Sequence, residues 1–516
     1  MTSSRTLALA VAISLATNAA FADSFTGPQS SQTPYVIPTA SGWQVTSLIT
    51  VGDTAKESPY ALVGIPDGMG AVAGKFAANG DYVADKAFMT VFVNHEIRPG
   101  LGVPRAHGQN GAFVSQWTVH LNSLQVKWGE DLVSRVYTWS NGQYADTTGA
   151  TAFNRFCSGD LPSLGAFYNP ATGNGFNGLI YMNGEEAGNE GRAFAHVVTG
   201  ADKGTSYELP YLGKFSWENS VAHPNAGDRT IVVGLDDSTP GQVYFYVGDK
   251  QASGSPVERA GLQNGRLYGV KVTDGGANYA NGAVPLENNG AVVGKFTLQS
   301  FTRAEAAGTG ATLQTLSVAG GVTEFARPED GHWDTRNPNV FYWVTTGATG
   351  APVGGKTQTA RLYKLTLDSI TNPTGGTIEL VVDATTVTGT DGQTARSFDN
   401  ITVDGDGNVI VQEDPGNSPY IAKVWKVDPR TRTAVQIFES DRARFSFDAP
   451  NGLTDDEENS GVIEVTDIVK SAKWYEAGRR YYLGNMQAHY GIPGELVEGG
   501  QVYLMASPRT QYATKY

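Results

Sequence analysis

The chain has 516 residues, of which 63 are glycine, 10% are aromatic and 17% are charged, and its 37 basic and 51 acidic side chains leave a formal charge of −14. So much aromatic mass with so little charge excludes a wholly disordered chain, and no stretch carries the heptad pattern of a coiled coil. The acidic balance disfavours a basic nucleic-acid-binding surface. From the N-terminus, Arg5 precedes an uncharged run over 6–16, and Ala20-Phe21-Ala22 then forms an A-x-A site before Asp23. That pattern predicts a secretory signal over 1–22. The apolar run is too short to span a bilayer, and no later stretch reaches ~18 consecutive apolar residues. The expectation is therefore a periplasmic or secreted protein without integral membrane association. Its single cysteine, Cys157, excludes an internal disulfide framework. A lone thiol is a buried small hydrophobe, a metal thiolate or a reactive group.

Beyond residue 23, short β-branched and aromatic runs recur between Gly, Asn, Asp and Pro clusters, for example at 86–93, 230–235, 242–247, 266–272, 340–346, 361–367, 408–412 and 423–428. Period-two patterning of this kind predicts strands. Helix is predicted only over 302–307 and 468–476. A loose unit of acidic residue, strand, turn and aromatic strand repeats near 218–247, 329–368 and 399–428. Meanders repeated at such intervals point to propeller blades. The expected fold is all-β, a six-bladed β-propeller with long inserted loops, with a pair of sandwiches as the alternative. No linker divides 23–516, so a single domain is expected.

Acidic or polar knots close several of these runs. Phe92-Val-Asn94-His95-Glu96 places an amide oxygen and a carboxylate two residues apart, on one side of a strand, and such oxygens suit a hard cation. Arg155-Phe-Cys157-Ser-Gly159 is followed by Gly184-Glu185-Glu186, whose adjacent carboxylates repel unless solvated or bridged by cations. Phe215-Ser-Trp217-Glu218 enters an apolar run. In Arg327-Pro-Glu329-Asp330, a planar guanidinium suited to phosphate or carboxylate stands beside two acids. Phe398-Asp399-Asn400 leads into Asp404-Gly-Asp406-Gly-Asn408, which lacks EF-hand spacing and reads as a hairpin turn. Residues 455–459 read as a solvated acidic loop, and Gln487-Ala-His489 ends the series. Each knot alone is equally compatible with an ordinary turn or ion pair. H-E-x-x-H, G-x-S-x-G and G-x-x-x-x-G-K-[ST] are absent, and no pair among the seven histidines has zinc-site spacing.

Taken in order, Phe92-Val-Asn-His-Glu96, Cys157-Ser-Gly159, Gly184-Glu-Glu186, Phe215-Ser-Trp-Glu218, Arg327-Pro-Glu-Asp330 and Asp399-Asn-Ile-Thr-Val-Asp404 resemble the PhoX family of secreted bacterial alkaline phosphatases. The resemblance implies a six-bladed propeller holding iron and calcium in its funnel and hydrolysing phosphate monoesters. It implies Cys157, Glu218 and Glu329 as iron ligands, and Asn94 and Glu96 on the calcium side. Glu185, Glu186, Asp330 and Asp399 are further calcium candidates, and Arg327 is the phosphate clamp. Arg327, Glu329 and Glu218 are thus the expected catalytic set, and a monomer is expected. Two features depart from the family. Only one arginine precedes the apolar run, where members carry a twin-arginine signal. Trp217 stands where a histidine is common, which implies loss of a hydrogen bond behind the metal ligands. The alternatives are a non-catalytic calcium-stabilised binding propeller, and a related phosphodiesterase or lactonase.

Overall fold

The structure is a computed structural model, and it describes residues 23–77, 80–274, 287, 290–347 and 359–510. The expected signal segment, 1–22, lies outside the described residues. Six strands surround a central axis: β1 (Pro66–Ala73), β2 (Phe156–Asp160), β3 (Trp217–Ala222), β4 (Pro328–Trp333), β5 (Phe398–Val403) and β6 (Glu457–Glu464). Each touches the next, and β6 touches β1, so the ring closes. Each also opens a radial meander of antiparallel strands. In the first blade, β1 pairs Phe88–His95, which pairs Phe113–His120, which pairs Gln125–Asp131. The protein is the six-bladed propeller expected from its repeats, which coincide with blades three, four and five.

Closure joins the two ends of the chain. The C-terminal strand Val497–Ala506 of blade six pairs Gln44–Thr50, and Val36–Pro38 edges blade five. Blades three and four are also joined through their outer strands, Gly294–Ser300 and Gly375–Asp383. A middle strand lies between two neighbouring blades, so its alternate side chains enter two different cores. Along Val340–Thr345, Phe341 and Trp343 pack toward blade three with Phe245 and Val233. Val340, Tyr342 and Val344 pack toward blade five with Ile401 and Trp425. This explains why the run Val-Phe-Tyr-Trp-Val is continuously apolar rather than alternating.

Helix is sparse, and the expected helices are only partly present. Arg303–Ala306 forms one turn within 302–307, held by a capping box between Thr302 and Glu305. Only Thr466–Val469 is helical beside the second expected span. The longest helix among the described residues, Gly310–Gly320, was hidden by its Gly and Thr content. The Asp404–Asn408 segment is a hairpin turn as expected: the Asp404 carboxylate accepts the amides of Asp406 and Asn408, each at 2.9 Å.

A cavity of about 270 Å³ opens along the axis on the side away from the strand starts, lined in part by Asp160, Asp330, His332 and Glu464. The Asp160 carboxylate accepts the Ala222 amide at 2.9 Å, and burial lifts its pKa to about 7. An acid raised in the folded state contributes stability below its unfolded pKa and loses it as pH rises through the folded value. Asp160→Asn should therefore gain stability over the parent between about pH 4 and 7, by at most about 4 kcal/mol. Urea unfolding across that range checks this, and a pH-independent difference contradicts it.

Candidate metal centre at the propeller mouth

The ring of strand starts brings the site together. Each inner strand slips register against its neighbour within its first few residues: Pro66/Met69, Phe156/Gly159, Trp217/Ser220, Pro328/Gly331, Phe398/Ile401 and Glu458/Gly461. Such bulges bend a strand and re-aim side chains. In the first five blades the first residue inside the slip is Asp67, Cys157, Glu218, Glu329 and Asp399. In blade six Glu458 stands at the edge of the slip. The neighbouring strand adds a second set. The partners of Pro66, Phe156, Trp217, Pro328 and Phe398 are His95, Glu185, Asp236, Thr345 and Glu413. The next residues are Glu96, Glu186, Asp237, Thr346 and Asp414. One local device, repeated around an axis, converges ligands from residues hundreds apart in sequence.

These side chains form four groups whose ligand atoms lie within 4.8 Å of one another: Asp67–Glu96–Cys157, Cys157–Glu186–Glu218, Glu218–Asp237–Glu329 and Asp399–Asp414–Glu458. Shared members join the first three into an arc across four blades. The Cys157 Sγ lies 3.4 Å from the Asp67 carboxylate. Ser158 donates to Glu218 at 2.7 Å, and Thr346 donates to Glu329. Gln487 donates to both Asp67, at 2.8 Å, and Glu96, at 2.9 Å. Arg327 holds Asp237 bidentately at 2.7 and 2.9 Å and reaches Glu329 at 3.0 Å. Arg155 donates to Glu96 at 2.6 Å and pairs with Glu186 at 2.5 Å.

The electrostatics are those of anions crowded out of water. Burial, then Glu96 and Glu458, raise the Asp67 pKa well above the carboxylate range. Burial, then Asp67 and Glu218, raise the Cys157 thiol. Glu218 is raised by burial, then by Glu329 and Asp67, and Asp399 by burial, then by Glu329 and Glu218. Asp414 is lifted to about 7 by burial and Glu458. Against burial, which alone would lower it, Glu458 and Glu498 lift His489 to about 11. The backbone is strained at the same mouth. The residue before the inner strand has a left-handed φ in four blades: Ile65 at 51°, Arg155 at 44°, Arg327 at 60° and Ser397 at 46°. Non-glycine residues held there cluster at functional sites.

Of the residues expected from the sequence, Cys157, Glu218, Glu329, Glu96, Glu186, Asp399 and Arg327 meet at this mouth. Three ligand candidates are engaged elsewhere. Asn94 donates to the carbonyls of Cys157 (2.6 Å) and Ser158 (3.2 Å) and accepts from Tyr181 and Asn183, so it braces the cysteine strand. Glu185 is held by Arg192 at 2.6 and 2.7 Å. Asp330 accepts from Asn219 and from the amides of Gly331 and Ile401. The Trp217 ring also turns away from the ligands. It stacks on Phe215 at 4.0 Å within the blade, so it takes no place behind them. The acidic run 455–459 is not a solvated loop throughout, because Glu457 is fully buried and Glu458 joins the mouth.

Asp67, Asp237, Asp414 and the second arginine, Arg155, were not expected as site residues. A signal for two of them was present. Glu185-Glu186, Asp236-Asp237 and Glu413-Asp414 each end an apolar strand, and in each pair the second acid belongs to a ligand group.

Residues 185–439 match the model of a family described as alkaline phosphatase PhoX. The matched segment contains Glu186, Glu218, Asp237, Arg327, Glu329, Asp399 and Asp414. Asp67, Glu96, Cys157 and Glu458 lie outside it and join the same ring through the fold. No curated protein sequence matches the chain. Among solved structures, Pseudomonas fluorescens PhoX in complex with vanadate, a transition state analogue, is similar with a TM-score of 0.54 and 13% identity, covering 93% of this chain and 97% of that one. A provisionally assigned 6-phosphogluconolactonase of Bacteroides uniformis matches at 0.31 and 11%, covering 67% and 80%. A provisionally assigned TolB of Agrobacterium tumefaciens matches at 0.30 and 9%, covering 74% and 84%.

Proposed function

We propose that this protein is an exported metal-dependent phosphatase that hydrolyses phosphate monoesters at the propeller mouth. One observation carries the reading: a thiol and a continuous arc of buried carboxylates meet two arginines at one end of the axis. The donor chemistry fits a mixed iron and calcium cluster. Cys157 with Glu218 and Glu329 offers the thiolate and carboxylates that iron accepts, whereas Asp399, Asp414 and Glu458 offer only oxygen, as calcium prefers. Asp67 and Glu96 extend the donor set beside Cys157. The buried oxygens Asp67 Oδ1 and Gln487 Oε1 have no partner among the described residues, which suits an inner face that expects a cation. When bound, such cations act as Lewis acids on phosphoryl oxygens and lower the pKa of water.

The side chains set up the rest. Ser158 and Thr346 orient Glu218 and Glu329, and Gln487 holds Asp67 and Glu96 together. Arg327, 27% exposed above nearly buried acids, presents the donors not spent on Asp237 and Glu329 to an incoming phosphate and steadies charge on the equatorial oxygens. Export rests on the signal pattern over 1–22, and Asp23 is the expected first residue of the mature chain.

The test is a chromogenic phosphate monoester assay at alkaline pH, run beside elemental analysis of protein purified from its exported pool. The expected result is calcium-dependent turnover and bound iron, with iron lost in Cys157→Ala. Calcium without a transition metal and no turnover would instead identify a binding propeller. Iron unchanged in Cys157→Ala would remove the thiol from the ligand set.

A further inference from the structure

Arg155 and Arg327 are the same position in two blades. Each immediately precedes an inner strand, β2 or β4, and each has a left-handed φ, 44° and 60°. Each also bridges two acids of the mouth: Glu96 and Glu186 for Arg155, Asp237 and Glu329 for Arg327. The equivalent position of blade three, between them, is Ser216, so one arginine belongs to the blade before Glu218 and Asp237 and the other to the blade after. Glu218 belongs both to the group that contains Glu186 and to the group that contains Asp237 and Glu329, which links the acids held by the two arginines. Both cations are the more exposed members of their pairs, at 31% and 27%, against 11% or less for the acids beneath them.

We infer that Arg155 is a second oxyanion-binding residue, facing Arg327 across blade three and contacting the same phosphoryl group. This rests on the phosphatase reading above. A planar fork fixed by two carboxylates keeps its remaining donor edge oriented, and the strained φ in both blades holds two such forks on the rim. A phosphate seated between them meets two guanidinium groups, which match the charge of a dianionic monoester better than that of a monoanionic diester. Were Arg155 only a counter-charge for Glu96 and Glu186, its loss would scatter the ligands and leave phosphate recognition to Arg327.

The experiment is calorimetric titration of inorganic phosphate into the full-length, metal-loaded protein, with metal content measured on the same samples. Arg155→Ala is expected to bind phosphate about tenfold to a hundredfold more weakly with metal content retained. Arg155→Lys, which keeps the charge without the fork, is expected to fall between. Unchanged phosphate affinity in Arg155→Ala overturns the assignment, and so does joint loss of metal and phosphate in both variants. Failure of the broader reading looks different: the parent protein would bind phosphate through Arg155 yet turn over no monoester.

Discussion

Arg327→Ala is expected to lower kcat for a phosphate monoester by about 10²–10³-fold, the usual cost of deleting a preorganised donor aimed at developing charge. The expectation follows from how the residue is held. Its guanidinium is fixed by Asp237 across Nε and Nη2 and by Glu329 at Nη2, and its backbone sits at φ 60°. The side chain therefore reaches the transition state with little freedom left to lose. Arg327→Lys should recover little, because a point charge cannot hold Asp237 bidentately while contacting phosphate. Steady-state kinetics at matched metal content check this. A loss of less than tenfold in Arg327→Ala would show that the guanidinium serves only the carboxylates. Because Arg327 also touches Glu329, metal analysis of the variant is part of the measurement.

The fold was legible because blades repeat. The runs at 230–235, 340–346 and 408–412 carry their apolar residues without interruption, and the structure shows that each lies between two cores. Much of the site was legible for a different reason. Cys157, Glu218, Glu329 and Asp399 each follow an aromatic residue or proline that begins an inner strand, so short strings of sequence marked them. Asp67 and Asp414 sit in Pro-Asp-Gly and Glu-Asp-Pro, which look like any turn. Only ring closure reveals that those turns face the axis. Asn94 shows the converse. Its position two residues before Glu96 suggested a shared ligand face, but the strand directs it into Cys157 and Ser158 carbonyls. Glu185 and Glu186 show that adjacent acids at a strand end divide their roles, one bound by Arg192 and the other joining the mouth. Local sequence cannot say which is which, because that depends on which face the neighbouring blade covers.

Removing cations should destabilise the protein, and increasingly so as pH rises. Among the described residues, nine carboxylates and a thiol make up the ligand groups, and the cations that touch them are Arg155, Arg327 and His489. The acids relieve their mutual repulsion by keeping protons, which is why burial and like-charged neighbours raise Asp67, Glu218, Glu329 and Asp399 and lift Asp414 to about 7. For acids raised in this way, metal-free stability is present in full below their unfolded pKa and lost as pH rises through the folded values. With Asp414 the loss spans roughly pH 4 to 7, and the more strongly raised groups carry it higher. A cation that replaces those protons binds more tightly as pH rises. At a thousandfold excess over its Kd, a ligand adds about 4 kcal/mol. Urea unfolding with chelator or with calcium should therefore give curves that nearly coincide at pH 5 and separate steadily toward pH 8. A calcium effect of equal size at every pH would mean that the ion binds ordinary surface carboxylates instead of this ring.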